Sequence, residues 1–403
     1  MTTLPTRIPE MALKAPTAGK KKAGLFSVSE GFDIPLLIIL LLILSIGLIT
    51  LFSASFVYSY YATGGDDSFS IIRKQIIFAV VGVVLMLIIS TIDYHVLHRL
   101  AIPLIILAEI LLVVVLLLPT NENGLRVHRW IPLPIVGQFQ PSEVAKFALI
   151  VIFAHLIAHH HKDPKKMKTF LGGFLPFMII LGITCLLVIA EPHLSGTILL
   201  LGIGISMMFV GGTKIIYLVL TMLLGAGAAS FLIVKVGYEM DRIRVWLDPI
   251  GMYNDGTKIE RDQALQTMQS LYAIGSGGLM GQGLGNSRQK HLFLPEGHND
   301  FIFSIFCEEM GFVGALFVII LFALLIWRGI SIGMRAADKF GSMLAIGLTL
   351  QIGIQVFLNI AVVTNIIPNT GISLPFFSYG GTSLIMLLAQ MGVLLSISRS
   401  AKV

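Results

Sequence analysis

Residues 294–328 read "LPEGHNDFIFSIFCEEMGFVGALFVIILFALLIWR". A polar mouth holding two acids and a histidine runs directly into a long apolar stretch. A helix needs ~20 mostly apolar residues to cross ~30 Å of hydrocarbon, and this stretch supplies them. The mouth then has two readings. It is a polar helix cap at a membrane surface, or it is a reaction site held at that surface.

The same pattern recurs outward from this segment. Of 403 residues, 56% are hydrophobic and 12% are charged, whereas a water-soluble domain carries about 25% charge. That imbalance predicts an all-α, polytopic membrane helix bundle. Ten runs are long and apolar enough to be spans. They lie near 33–54, 72–91, 100–118, 141–159, 169–190, 194–212, 214–236, 300–328, 340–366 and 380–398. The longest polar stretch, 237–299, is Gly-rich and too broken to bury a core of its own. It is expected as an extracytoplasmic loop between the seventh and eighth spans, inside one membrane domain covering 32–400. Residues 1–31 are polar, carry Lys20, Lys21 and Lys22, and are expected to be a disordered cytoplasmic tail. Cys185 and Cys307 both sit in apolar runs and read as small core residues. No internal repeat is visible.

Charge placement orients the bundle. With the N-terminus inside, about 16 of the 28 Lys and Arg residues fall on cytoplasmic segments, which the positive-inside rule favours. Both termini are therefore expected in the cytoplasm. Cations remain on the outer side: Arg73, Lys74, Arg126, Arg129, Arg242, Arg244, Lys258, Arg261, Arg288 and Lys290. Such a set suits an anionic ligand, and equally suits ordinary loop solvation.

Polar clusters map to that same side. In "NGLRVHRWIPLPIVGQFQPSEVAKF", 123–147, a Pro-Ser pair starts a helix, and Glu143 and Lys146 share a face at i and i+3. Ions at the mouth of an apolar helix are functional candidates; a structural ion pair is the plain alternative. "EPHLSGT", 191–197, is a short turn with Glu191 and His193. In 261–300, Leu265, Met268, Leu271 and Tyr272 oppose Gln266, Gln269 and Ser270, which predicts an amphipathic helix along the membrane surface. Six glycines follow between Gly275 and Gly285. They fit neither a P-loop nor a dinucleotide turn and read as a bent, close-packed segment. Glu296, His298 and Asp300 then crowd a hydrophobic boundary, where pKa values move easily. Asp300 is also placed to cap the helix that follows. Glu308 and Glu309, ~12 Å further along that helix, are expected to pair with cations of neighbouring helices. "NIIPNTGISLPFFSYGGTSL", 365–384, is a Pro- and Gly-broken loop in which Ser378, Tyr379, Thr382 and Ser383 can line a cavity.

Taken together, "RWI", "QPSEVAKF", "QSLYAIGSGGLMGQGLGNSRQK", "LPEGHNDFIFSIFCEEMG" and "NTGISLPFFSYGGTSL" resemble the shape, elongation, division and sporulation (SEDS) family. The resemblance covers nearly the whole chain from about residue 32, in the same order. "DDSF", "DYH" and "SISRS" lean toward its FtsW/SpoVE branch rather than RodA. Two departures stand out: Asn299 replaces a common Thr, and "EPHLSGT" replaces a common "PDxGT". The resemblance implies a peptidoglycan glycosyltransferase of the bacterial cytoplasmic membrane that polymerises lipid II, a disaccharide-peptide on undecaprenyl diphosphate. It implies a class B penicillin-binding protein transpeptidase and other division-complex membrane proteins as partners, and no nucleic acid. The family's catalytic aspartate carries over to Asp300, and its Glu and Lys to Glu143 and Lys146.

On that reading Asp300 is a general base. Lys146, Arg126, Arg129, Arg242, Arg244 and Arg288 receive a departing diphosphate, with Lys290, His298, Glu296, Glu143 and Ser378 around the substrate. A divalent cation, Mg or Mn, can share the electrostatic work, although no ligand cluster specifies one. A lysine beside Asp300 weakens it as a base. Lys146 is therefore expected to hold Asp300 at rest and to move to the diphosphate when substrate binds. A lipid-precursor flippase and a non-enzymatic division scaffold are the rival readings.

Overall fold

A computed structural model describes residues 31–118, 129–133, 137–160, 164–236 and 240–401. The expected tail and Arg126 lie outside the described residues. The helices are α1 (Ile34–Ala62), α2 (Ser70–Ser90), α3 (His95–Leu117), α4 (Pro141–His160), α5 (Pro164–Met167), α6 (Leu175–Ala190), α7 (Leu194–Gly211) and α8 (Ile215–Val236). They continue with α9 (Met240–Leu247), α10 (Pro249–Asn254), α11 (Lys258–Gly277), α12 (Ile302–Arg335), α13 (Lys339–Val363) and α14 (Gly381–Ser400). A short hairpin, β1 (Ile131–Leu133) and β2 (Gly137–Phe139), precedes α4.

Among the described residues, nine helices are long and apolar enough to cross a membrane. The chain is a multi-pass membrane protein. The seventh expected span, 214–236, falls on α8, a helix of 22 residues that is not among those nine. In their most apolar stretch, α4, α14 and α13 are buried over 78%, 72% and 61% of residues, and α1, α2 and α3 over 39% or less. The first three are thus the core, and the outer helices turn apolar side chains toward lipid.

Contacts assign the two ends of the bundle. At one end Arg328 pairs with Asp33 at 2.8 Å, Ser398 Oγ accepts from the Asp33 amide, and Tyr94 donates to Asp338 at 2.5 Å. The starts of α1, α3 and α13 therefore meet the ends of α12 and α14. The other end gathers the starts of α2, α4, α7 and α14 with the 364–380 loop.

Helix α12 is two helices joined at Gly311, whose φ of 65° and ψ of −168° break it. Every residue from Ile302 to Glu309 is buried. Exposed apolar residues begin at Met310 and continue through Phe312, Val313, Leu316, Phe317, Ile320, Leu324 and Trp327. The lipid-facing span thus starts near 310 rather than 300, and Glu308 and Glu309 belong to the buried entrance segment.

The break is filled by the glycine run. The amides of Gln282 and Gly283 donate to the carbonyls of Glu308 and Glu309, and those of Phe312 and Val313 donate to Gly278 and Leu279. The groups orphaned by the kink are so satisfied by a crossing chain. Only glycine lets two backbones approach this closely: a Cβ on Gly281 would collide with the Glu309 carbonyl, and one on Gly277 with that of Cys307. The run is a structural joint.

Helix α11 departs from its expected placement. Ser270, expected on the outward polar face, is fully buried, and Tyr272 is exposed. Ser270 Oγ reaches the carbonyl of Val363 and Ser304 Oγ, both at 2.7 Å. The helix meets α12 through small residues, Ser270 at Ser304 and Gly277 at Cys307, which allow close approach. A Gly281→Val variant is expected to lose at least about 1–3 kcal/mol through overpacking, read as a lower unfolding temperature in detergent. An unchanged transition would contradict the crossing.

Candidate functional site

A cavity of about 840 Å³ opens at the end where α2, α4, α7 and α14 begin. Its wall takes Lys74 and Phe78 from α2, Arg129 and Trp130 from the segment before β1, and Gln138 from β2. Gln140, Glu143 and Lys146 come from the start of α4, His193, Ser195 and Gly196 from the α6–α7 turn, and Asn299 and Asp300 from the segment before α12. Gln355 on α13 and residues 371–373 and 379–383 complete it. The polar clusters at 123–147, 191–197, 294–300 and 365–384 therefore share one chamber. The glycine run does not reach it.

The chamber attracts anions by construction. The N-terminal ends of α4, α7 and α14 line it, and α12 begins two residues after Asp300. Each helix start contributes about half a positive charge, and α7, α12 and α14 have no side-chain cap to neutralise theirs. Lys74, Arg129 and Lys146 add full charges.

Asp300 is the acid that faces this field. The N-cap of α12 is Phe301, and no side chain caps that helix. The capping role open to Asp300 is therefore unfilled, and its carboxylate is directed to the cavity. Main-chain contacts fix it: Asn359 Nδ2, fully buried on α13, donates to the Asp300 carbonyl at 2.8 Å and to that of Ile372 at 2.7 Å. Ser378 Oγ donates to the Asn299 carbonyl at 2.7 Å, and the Tyr379 amide donates to His298. Gly371, at φ +69°, lets the opposite wall approach; a Cβ there would lie 3.2 Å from Asp300 Oδ2. Burial, reinforced by the negative charge of Glu296, pushes the Asp300 carboxyl up to about 6, against the pull of Arg129 and Arg242.

Lys146 does not hold Asp300. Its Nζ donates to Glu143 Oε1 at 2.8 Å, and both side chains are almost wholly buried. One turn of α4 separates these residues, so the pair forms within the helix before any neighbour competes for it. Arg129 donates to the Pro192 carbonyl, and its charge acts on the α6–α7 turn. Burial raises Glu191 to about 8 and lowers His193 to about 3, the latter with help from Arg129 and Lys146. At neutral pH Glu191 keeps its proton and His193 is an uncharged imidazole.

The remaining candidates are dispersed. Arg242 Nη1 donates to the Asn369 carbonyl at 3.1 Å, and its charge acts on Asp300. Arg244 is exposed and lies 3.9 Å from Asp241. Arg288 is exposed, with its amide donating to Glu308. Lys290 is tied to Glu309 at 3.4 Å and to Ser53. The partners of Glu308 are thus loop donors, including Ser287 Oγ and the Gln289 amide; the expected cations from neighbouring helices are absent among the described residues. His298 is buried against Tyr58, ring centroids 4.2 Å apart. Ser378 lies behind the wall, and Glu296 faces solvent. Lys74, Trp130, Gln138 and Gln355 were not singled out as site residues from the sequence, and Asn359 was missed altogether. Among the described residues, no three His, Cys, Asp or Glu side chains meet as metal ligands, so these residues do not fit a protein-built divalent cation site.

Fold and cavity together define a polytopic membrane protein with a chamber at one end, lined by Lys74, Arg129, Lys146 and the Asp300 carboxylate. The chain belongs to the FtsW/RodA/SpoVE family: the family model described as "Cell cycle protein" matches residues 34–403. It is 38% identical over 369 residues to a probable peptidoglycan glycosyltransferase FtsW of Geobacter sp. (strain M18), covering 92% of this chain and 97% of that protein. It is 40% identical over 378 residues to stage V sporulation protein E of Bacillus subtilis (strain 168), covering 92% and 98%. Thermus thermophilus RodA has the same fold, with TM-score 0.66 at 24% identity, covering 92% of this chain and 97% of that one. A chain of a peptidoglycan synthase complex that coordinates polymerization and crosslinking superimposes with TM-score 0.70 at 24% identity, covering 92% and 98%.

Asn359→Leu is expected to leave two buried carbonyls unpaired, at about 1–3 kcal/mol each, and to misplace Asp300. A thermal unfolding shift in detergent reads the first effect. Full stability in that variant would show that Asn359 holds nothing.

Proposed function

We propose that this chain is a peptidoglycan glycosyltransferase that polymerises lipid II into β-1,4 glycan strands at the outer face of the bacterial cytoplasmic membrane. Both termini are cytoplasmic, and a class B penicillin-binding protein transpeptidase is its partner. The observation that carries the reading is the Asp300 carboxylate facing a chamber that Lys74, Arg129 and Lys146 also line.

The acceptor is a sugar 4-hydroxyl and the donor an anomeric carbon bearing a lipid diphosphate. Asp300 takes the hydroxyl proton as the new C–O bond forms, contributing roughly 10²–10⁴-fold. The bond from C1 to the diphosphate breaks, and its electron pair leaves with the diphosphate. Negative charge grows there, and fixed cations stabilise it without reorganising. Arg129, Lys146 and Lys74 serve, backed by the helix starts. Arg242 holds the 364–380 wall and tempers Asp300 from a distance. Glu143 holds Lys146 by an ion pair until diphosphate draws it away. This ion pair removes the conflict between base and lysine, because Lys146 is neutralised by its own helix neighbour and not by Asp300.

Purified protein given lipid II in detergent, scored for glycan chains, tests the reading. Asp300→Asn should fold and make none. Lys146→Met should lose roughly 10²–10³ in turnover. Turnover should rise with pH through about 6, where Asp300 ionises, and fall about tenfold per unit below it. Polymer from Asp300→Asn would end the assignment. No polymer from the unaltered protein would leave lipid flipping or scaffolding.

A further inference from the structure

The turn that carries Asp300 holds a second acid that does not line the cavity. Glu296 is exposed and sits in left-handed backbone at φ +54°, which a residue other than glycine adopts only where its surroundings impose it. Its carbonyl accepts from the Asn299 amide at 3.0 Å and the Phe301 amide at 3.3 Å. Its carboxylate accepts from Asn299 Nδ2 at 2.5 Å. Glu296 thus grips the residues on both sides of Asp300. Glycine would suit the backbone better, and glutamine would keep the bond to Asn299. What glutamate alone adds is negative charge on the solvent side of the turn.

We propose that Glu296 is a positioning residue of the reaction: its carboxylate clamps Asn299, its carbonyl holds the Asn299 and Phe301 amides, and its charge stays on the solvent side of the turn that carries Asp300. The proposal rests on the glycosyltransferase reading. The other elements around Asp300 supply cations, paired charges or neutral groups; Asp241 on α9 lies beside Arg244, and Glu191 on the α6–α7 turn is raised to about 8 by burial. Arg129 precedes β1, Arg242 lies on α9, and Lys74 on α2. On α4, Lys146 is neutralised by Glu143. His193 is uncharged at neutral pH, and α13 and the 371–383 wall offer Asn359, Gln355, Ser373 and Tyr379. A base between arginines and helix starts would be weak, and one carboxylate outside the chamber offsets them without occupying substrate space. A neighbouring like charge in partly aqueous surroundings shifts a carboxyl by about 0.5–1 pH unit, in the same direction as burial. Glu296 touches no substrate. The proton that Asp300 takes from the acceptor hydroxyl returns to water when Asp300 reionises.

The test is the pH dependence of kcat and KM for lipid II polymerisation in Glu296→Gln, Glu296→Gly and the unaltered protein. In Glu296→Gln the acidic limb should move down by about 0.5–1 pH unit. Its plateau kcat should fall two- to tenfold, with KM nearly unchanged. Glu296→Gly fits the left-handed backbone, so it separates folding from charge. Its limb should shift as far, with a further loss of kcat because Asn299 loses its clamp. Superimposable limbs in all three proteins would overturn the proposal, as would a rise in KM with an unmoved limb. Failure of the glycosyltransferase reading looks different: the unaltered protein makes no polymer, or Asp300→Asn makes it.

Discussion

A helix broken inside a membrane protein exposes amides and carbonyls that nothing outside can satisfy. In this chain the break at Gly311 is met by the backbone of residues 278–283, and the active turn depends on that joint. The crossing anchors the segment that leads to 294–301. Glu308 then captures Ser287 and the amides of Arg288 and Gln289, and Glu309 captures Lys290. The two acids that look misplaced in an apolar helix are the fasteners of the segment bearing Asp300. Replacing them by apolar residues would leave that segment's donors buried without partners.

The chamber shows how a bundle concentrates charge without burying it unpaired. Helix starts, Lys74, Arg129 and Lys146 give one sign; Asp300 and Glu143 give the other. A buried ion pair is weak evidence of stability, and Lys146–Glu143 lines the chamber and does not sit behind it. Asp300 is held differently. Its carbonyl and its neighbours are bonded, whereas its carboxylate is kept from capping α12. Asp300 is positioned through its backbone, which leaves its carboxylate facing the chamber.

The sequence made the bundle legible because hydropathy and length alone decide a span. Asp300, Glu143, Lys146, Arg129 and the 365–384 loop could be read from local motifs. Lys290 and Arg288 were misplaced because charge sign says nothing about which acid a cation will find. Ser270 was turned outward on paper by its polarity, yet its small size sets its place against α12. Gln355 and Asn359 lie in an apolar run, one turn apart, with no cap, turn or motif around them. Only the fold shows that one lines the chamber and the other carries Asp300.

The central claim is that position 300 is a base made by its surroundings. The most direct measurement is a carboxyl titration of the detergent-solubilised protein by difference infrared spectroscopy, taking Asp300→Asn as the reference. The difference band should titrate with a midpoint near 6. A midpoint near 4, the value of an ordinary aspartate, would show that burial and the neighbouring acid do not act on it, and the account of the site would fail.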